Sequence, residues 1–291
     1  MARSLVGLLV AASCAVLSAS GAATPYVLSK RAISQDVYDD LLWYWQYADS
    51  TAISNCAKPN GNVLITEFVS NPLIDSEGFI ARDDNRKEIV ISFRGSTTIQ
   101  NYISDVELVL IPYDIANVTA PFGTLVHTGF LTAYKAVATE LLANVTAVAT
   151  EYPDYAIVPL GHSLGGAIAS IAAVSLKASF PDRPMRLYTY GQPRTGNAVY
   201  ATWVNDNFAD NSFRVVHRDD CVPQLIVEAI GYQHHGTEYW QLTDPSSPGN
   251  FVHCAAGGED PTCQDSVPLT SLNCTDHVTY MGIPTDTPFC T

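Results

Sequence analysis

Positive charge is scarce in this 291-residue chain: 15 lysines and arginines stand against 29 aspartates and glutamates, a formal net charge of −14. Residues 1–31 contain Arg3, Lys30 and Arg31 but no acid, so the chain beyond them carries −17. Such a surface repels phosphate backbones and anionic membranes, which excludes nucleic acid as a partner and reads as solubility maintained by acidic side chains. There is no internal repeat and no low-complexity segment. One domain is therefore expected, long enough to bury a sizeable core. Past the N-terminus no apolar run is long enough to cross a bilayer. Neither a CxxC pair nor a paired Cys/His spacing occurs, which removes the usual zinc ligand sets.

The first residues, MARSLVGLLVAASCAVLSASGAA, combine one positive charge, an apolar stretch and a tail of small residues. That is the layout of a cleaved signal peptide, assigned to residues 1–22, and it is too short and alanine-rich to span a membrane. Residues 23–31 read as a propeptide ending in the dibasic pair Lys30-Arg31, with the domain at 32–291. Cleavage removes Cys14 and leaves Cys56, Cys221, Cys254, Cys263, Cys274 and Cys290. An even count behind a signal peptide predicts three disulfides in an oxidising, extracellular setting, with the connectivity open. The sequons at Asn117, Asn144 and Asn273 agree with secretion.

Two periodicities alternate along the chain. Ser34 opens SQDVYDDLLWYWQYADSTAI, a helix with a capping start and an aromatic face. NVLITEFV, GFIARD and KEIVISF read as strands, with Asp83-Asp84-Asn85 as a hairpin turn. A helix is expected from Thr128 to Tyr152, stopped by Pro153. Then AIVPL, the helix LGGAIASIAAVSLKASF, the strand RLYTYG, the helix GNAVYATWVNDNF and the strand FRVVHRDD follow in turn. This order predicts an α/β domain with a mostly parallel sheet and helices on its faces. Residues 244–270, rich in Pro, Ser, Gly and Asp, read as loop.

Within VPLGHSLGGAIAS, Ser163 stands between Gly161 and Gly165, after an apolar strand and before a small-residue helix. Glycines there remove side chains that would collide in a cramped strand-to-helix turn, lifting the Ser163 hydroxyl clear of the sheet. The same turn aims the first free amides of the helix at whatever lies above the hydroxyl. A serine becomes nucleophilic only when a histidine takes its proton and a carboxylate holds that imidazole. In such sheets the order is serine, acid, histidine. Asp220, after the strand FRVVH, is the expected acid, with Asp219 as alternative. The residues alone do not rank His234, His235, His253 and His277, although His277 sits in a compact Cys-Thr-Asp-His-x-x-Tyr unit on a late loop.

KEIVISFRGS, VHTGF, TEYPDYAIVPLGHSLGGA, LYTYGQPRTGN, FRVVHRDDCVP, GYQHHGTEYW and DHVTYMGI occur in the order found in filamentous-fungal class 3 lipases and the similar type A feruloyl esterases. The resemblance runs from about residue 34 to 290. It implies an α/β-hydrolase fold with helices on both faces of the sheet and a catalytic triad of Ser163, Asp220 and His277. The oxyanion donors would be the amides of Ser96 and Leu164. His162 and His217 are expected to orient backbone and loops, Arg94 and Asp105 to be structural ion partners, and His234 and His235 not to bind metal. The resemblance also implies bridges Cys56–Cys290 and Cys254–Cys263. Cys221 and Cys274 depart from the family's pattern; if paired, they would staple the acid and base loops together.

After Ser96, the segment TTIQNYISDVELVLIP could place Ile99, Tyr102, Ile103, Val106 and Leu110 on one apolar helical face, matching the lid that covers the site in the lipases. The same pattern suits a helix packed permanently on the core. LVLIP is greasier than a feruloyl esterase would need, whereas RDDNRKEI and the short 254–263 loop resemble one. The balance favours a secreted triacylglycerol lipase, a monomer acting on acylglycerols at an oil–water interface without metal or organic cofactor. A feruloyl esterase is the alternative within the chemistry, and a non-catalytic carrier the alternative outside it.

Overall fold

Ser34 starts the first helix among the described residues as its sequence position predicts: its hydroxyl accepts from the Val37 amide at 3.3 Å and caps α1 (Gln35–Ser50). The computed structural model describes residues 31–53, 55–70, 76–96, 108–287 and 289–290. Three strands follow α1, namely β1 (Val63–Val69), β2 (Glu77–Asp83) and β3 (Glu88–Phe93). The turn between β2 and β3 is closed by Asp83, whose Oδ1 accepts from the amides of Asn85 and Arg86 at 3.0 and 2.9 Å.

The chain continues through β4 (Leu110–Pro112), β5 (Leu125–His127), α2 (Thr128–Glu151), β6 (Ala156–His162), α3 (Leu164–Ser179) and β7 (Leu187–Tyr190). Next come β8 (Gly196–Asn197), α4 (Ala198–Phe208), β9 (Ser212–His217), β10 (Tyr232–Gln233), β11 (Thr237–Gln241) and β12 (Phe251–Ala256). Eight strands form one sheet in the order β1-β2-β3-β6-β7-β9-β11-β12. From β3 to β11 every neighbour is parallel, and the antiparallel pairs lie at the two sides.

Residues alternate across this sheet with the strand period of two, and each face takes different helices. Ile89, Ile91, Phe93 and Ile157 face a core shared with α2, α3 and α4. Val90, Val158, Leu160 and Tyr190 face Leu41, Tyr44 and Trp45 of α1. The fold is therefore the α/β-hydrolase arrangement, with helices on both faces. Alanines and glycines of α3 let it lie close to the strands; Gly165 to Leu176 is buried without interruption. Among the described residues no helix is long and apolar enough to cross a membrane.

Two segments differ from the sequence reading. Residues 251–256 lie in the stretch read as loop but form β12, which pairs antiparallel with β11 through Tyr239↔His253 and Gln241↔Phe251. Its apolar residues, Phe251, Val252 and Cys254, are buried on β11. The turn-forming residues on both sides obscure so short a strand. Leu110, placed on the apolar face of a lid helix, instead begins β4 opposite His127 in a second sheet of order β10-β8-β5-β4. Pro112 fits there at the end of an edge strand, where no amide donor is needed. Ile99, Tyr102, Ile103, Val106 and Asp105 lie outside the described residues.

Three disulfides close the domain: Cys56–Cys290, Cys221–Cys274 and Cys254–Cys263. The C-terminal segment is further tied to α1 by Asp49, whose two carboxylate oxygens accept from the amides of Asp286 and Thr287 at 2.8 and 3.0 Å. Burial pushes the Asp49 carboxyl up to about 7, against the lowering effect of those two amides. An aspartate in the unfolded chain ionises near pH 4. Wild-type stability relative to Asp49→Asn should thus fall as pH rises from about 4 to about 7, and be level on either side. The full change is at most about 4 kcal/mol, and paired thermal melts across that range measure it.

Candidate active site

Four parallel strands deliver their C-terminal ends to one place, the edge at which sheets of this type build their sites. β3 runs into Arg94-Gly95-Ser96, β6 into Ser163, β7 into Gly191, and β9 into the loop that holds Asp220. β3 and β6 are direct neighbours with Phe93 opposite Gly161, so the 94–96 backbone passes beside the serine turn. A Cβ built on Gly95 would stand 3.3 Å from the Ser163 Cβ.

Ser163 itself takes the unfavourable backbone, with φ 57° and ψ −128°. A non-glycine residue in such a region costs about 1–3 kcal/mol and persists only where its surroundings hold it. Here the Ser163 amide donates to the Tyr190 carbonyl at 2.8 Å, and the Gly166 amide donates to the Ser163 carbonyl at 3.0 Å. The flanking glycines serve close approach. A Cβ on Gly165 would lie 2.1 Å from the Phe93 carbonyl oxygen, and one on Gly161 would lie 2.4 Å from the Gly165 backbone. Leu164 begins α3, so its amide belongs to the first turn, whose N–H groups have no acceptor within the helix.

Asp220 is fully buried. Its Oδ1 accepts from the Val222 amide at 2.9 Å; its Oδ2 accepts from His277 Nδ1 at 2.7 Å and from the Tyr280 hydroxyl. His277 is equally buried, and its Nε2 has no hydrogen-bond partner among the described residues. That ring lines a cavity of about 720 Å³ together with Ser163, Ser96, Gly95 and His162. Of the alternatives left open by the sequence, Asp219 meets the base loop only through its backbone, its carbonyl accepting from the Asn273 amide at 2.7 Å and its amide reaching Asp276. His234 Nε2 is engaged with the Pro223 carbonyl, His235 Nε2 with Gln192, and His253 stacks on Tyr239.

The loop carrying His277 is held from several sides. His162 donates from Nε2 to the His277 carbonyl at 3.0 Å, and His217 donates from Nδ1 to the Asp276 carbonyl at 2.9 Å. Burial, and next the proximity of His277, push the His162 imidazole well below the usual histidine range, so it stays neutral. Cys221 and Cys274 join the residue after the acid to a residue three before the base. Arg94 pairs with Glu77 at the cavity wall.

Two contributors were not given roles by sequence reasoning. Tyr280 was visible only as the last residue of the Cys-Thr-Asp-His-x-x-Tyr unit, and its hydroxyl lies on the acid. Gly191, with φ 57°, is the surface on which the His277 ring sits: a Cβ there would be 2.7 Å from His277 Cε1 and 2.7 Å from the Tyr280 oxygen. A glycine directly after the strand LYTY was the available signal.

Among the described residues two groups of potential metal ligands occur. Glu238, Cys254 and Cys263 form one, but both cysteines are spent in a disulfide. Glu228, Glu259 and Asp265 form the other, and Arg194 already occupies it, donating from Nε to Glu259 at 2.8 Å. The arrangement at the cavity offers a hydroxyl, an imidazole oriented by a carboxylate, and backbone amides beside the hydroxyl. Groups so arranged are those that acyl transfer through a covalent intermediate requires.

Because the serine turn depends on contact between backbones, Gly165→Ala should destabilise the protein by about 3 kcal/mol or more through overpacking against β3. Chemical denaturation of the purified variant checks this. A denaturation midpoint equal to wild type would mean that the close approach of Gly165 to Phe93 is not a constraint.

Comparison with known proteins places these features in a family. The model of the family described as "Lipase (class 3)" matches residues 90–229. A Rhizomucor miehei lipase is 38% identical over 234 residues, which cover 79% of this chain and 61% of that relative, so the match spans less than two thirds of the relative's length. A secreted mono- and diacylglycerol lipase of Fusarium solani is 35% identical, with 74% of this chain and 67% of the relative covered. A solved triacylglycerol lipase, whose catalytic centre is described as a serine protease triad, superposes with a TM-score of 0.78 at 32% identity, covering 90% of this chain and 99% of its own. With the fold, the strand-edge cavity and these likenesses taken together, the chain belongs to the class 3 lipase family.

Proposed function

We propose that the protein is a secreted serine carboxylic-ester hydrolase, a triacylglycerol lipase that cleaves acylglycerols through an acyl-enzyme. The observation that carries this reading is the state of His277: Nδ1 is fixed on a buried carboxylate, while Nε2 lines the same cavity as Ser163 with no other partner among the described residues. An imidazole held in that tautomer is a base awaiting a proton.

In the first half-reaction Ser163 Oγ attacks the ester carbonyl as His277 Nε2 accepts its proton. Asp220 steadies the resulting imidazolium through Nδ1–H, and Tyr280 and the Val222 amide hold the carboxylate in place. Negative charge on the tetrahedral oxygen is received by the amides of Leu164 and Ser96. His277 then protonates the departing alcohol. In the second half it draws a proton from the water that attacks the acyl carbon, and returns that proton to Ser163 Oγ as the acyl–Oγ bond breaks and the carboxylic acid departs.

An acylglycerol substrate accords with the lipases that this chain resembles. Secretion accords with the N-terminal leader, the three disulfides and the secreted relatives. The segment holding Ile99, Tyr102, Ile103 and Val106 is proposed as the lid that meets lipid, with contact limited to the surface of the oil phase.

Hydrolysis of emulsified triglyceride, soluble short-chain esters and methyl ferulate tests the substrate class. The rate on triglyceride should rise as substrate passes its solubility limit, and Ser163→Ala should lower kcat by about 10⁴-fold or more on every ester. Preferential turnover of ferulate would overturn the lipase reading while leaving the esterase chemistry standing. Tyr280→Phe removes one hydrogen bond to a buried carboxylate and should lower kcat by about tenfold or more with KM little changed. A Tyr280→Phe enzyme with wild-type kcat would assign the tyrosine to packing alone.

A further inference from the structure

The dibasic pair Lys30-Arg31 reads in the sequence as a cut site, yet the folded protein has already engaged Arg31. Its guanidinium donates from Nε to the His253 carbonyl at 2.7 Å and from Nη1 to Thr262 Oγ1 at 2.8 Å, and Nη2 is paired with the Asp260 carboxylate. Nη2 also lies 3.3 Å from Cys263 Sγ. The Arg31 carbonyl is taken as well, accepting from the His253 amide at 2.7 Å.

The receiving site is built within the loop closed by Cys254–Cys263. Asp260 is 6% exposed and accepts, besides Arg31, from the Ala255 amide at 2.7 Å, the Thr262 amide at 2.9 Å and the Thr262 hydroxyl at 2.7 Å. Burial alone would push this carboxyl up; the two amides, the Thr262 hydroxyl and the guanidinium together hold it below the usual carboxylate range. It therefore remains an anion at any working pH and offers a fixed, charge-assisted acceptor.

An endoprotease that cuts after paired bases needs the same two groups. It must take the arginine side chain before the bond into an acidic pocket, and it must polarise that arginine's carbonyl in its own oxyanion hole. In the fold, Asp260 holds the first group and the backbone of His253 the second. We propose that the Cys254–Cys263 loop is an internal arginine site that competes with the processing protease, so that the Arg31–Ala32 bond is open to cleavage before this loop closes and protected afterwards. In that cleavage the C–N bond of Arg31–Ala32 breaks, water supplies the hydroxyl that completes the Arg31 carboxyl group, and its hydrogen goes to the Ala32 nitrogen. The consequence is an order of events: processing comes first, and a chain that folds uncut keeps Arg31 as part of the domain.

The test uses the chain from residue 23 to 291 with its disulfides formed, treated with an endoprotease specific for paired basic residues; cleavage after Arg31 is followed by intact mass and N-terminal sequencing. Hydrogen bonds to charged groups contribute enough that the need to open them before cleavage should slow cutting by about tenfold or more. The native wild type should therefore be cut at least about tenfold more slowly than the same chain reduced and unfolded, and Asp260→Asn should regain most of that rate under native conditions with its esterase activity kept. Should Asp260→Asn fail to fold, Thr262→Ala, which removes one donor from Asp260 and one acceptor from Arg31, should accelerate native cutting in the same direction. Native wild type cut as fast as the unfolded chain, or folded variants as resistant as wild type, would overturn the proposal.

Discussion

Everything at the site depends on one backbone conformation, that of Ser163 at φ 57° between β6 and α3. The strain of about 1–3 kcal/mol is held in place because β3, β6 and α3 approach one another more closely than side chains would allow. Gly165 lies against the Phe93 carbonyl, and Gly161 lies against Gly165. The turn therefore cannot relax without moving two central strands of the sheet. The same close approach brings the 94–96 backbone alongside the serine, so the proposed nucleophile and both proposed oxyanion donors are fixed by a single packing constraint.

The second half of the site is assembled from farther away in sequence. Asp220 follows β9, whereas His277 comes on a loop reached only after β11, β12 and a disulfide-closed excursion. Long loops are costly to order and tend to be mobile. Here the base loop is tied down by Cys221–Cys274, by His162 and His217 on two successive carbonyls, and by Gly191 beneath the imidazole ring. His162 and His217 thus hold the proposed base through its backbone, which leaves the His277 ring free to meet Asp220 on one side and the cavity on the other.

Much of this was legible in the sequence, for identifiable reasons. The serine turn announced itself because close packing demands glycine at fixed offsets and a small-residue helix after it. Asp220 was legible as the end of a strand in an alternating α/β pattern. The proposed base was not: four histidines follow Asp220, and no periodic signal tells which of them the late loop will return to the sheet edge. Only the resemblance singled out His277. The strand Phe251–Ala256 was hidden by the turn residues on either side. β11, with its polar Thr-Glu-Tyr-Trp-Gln, is a fully buried strand because Glu238 meets the buried Arg214 at 3.1 Å, a compensation that composition cannot reveal. Arg31 read as the end of a removable segment, whereas its side chain is built into the domain.

The proposed reaction turns on the Ser163 hydroxyl being made nucleophilic by His277 in its Asp220-fixed orientation. Covalent labelling by a fluorophosphonate, with the modified residue located by peptide mass and the rate compared between wild type and His277→Ala, tests it most directly. A single adduct on Ser163 is expected, with a labelling rate about 10³-fold or more lower without the imidazole. A folded wild type that does not label at Ser163, or a His277→Ala variant that labels as fast as wild type, would contradict it.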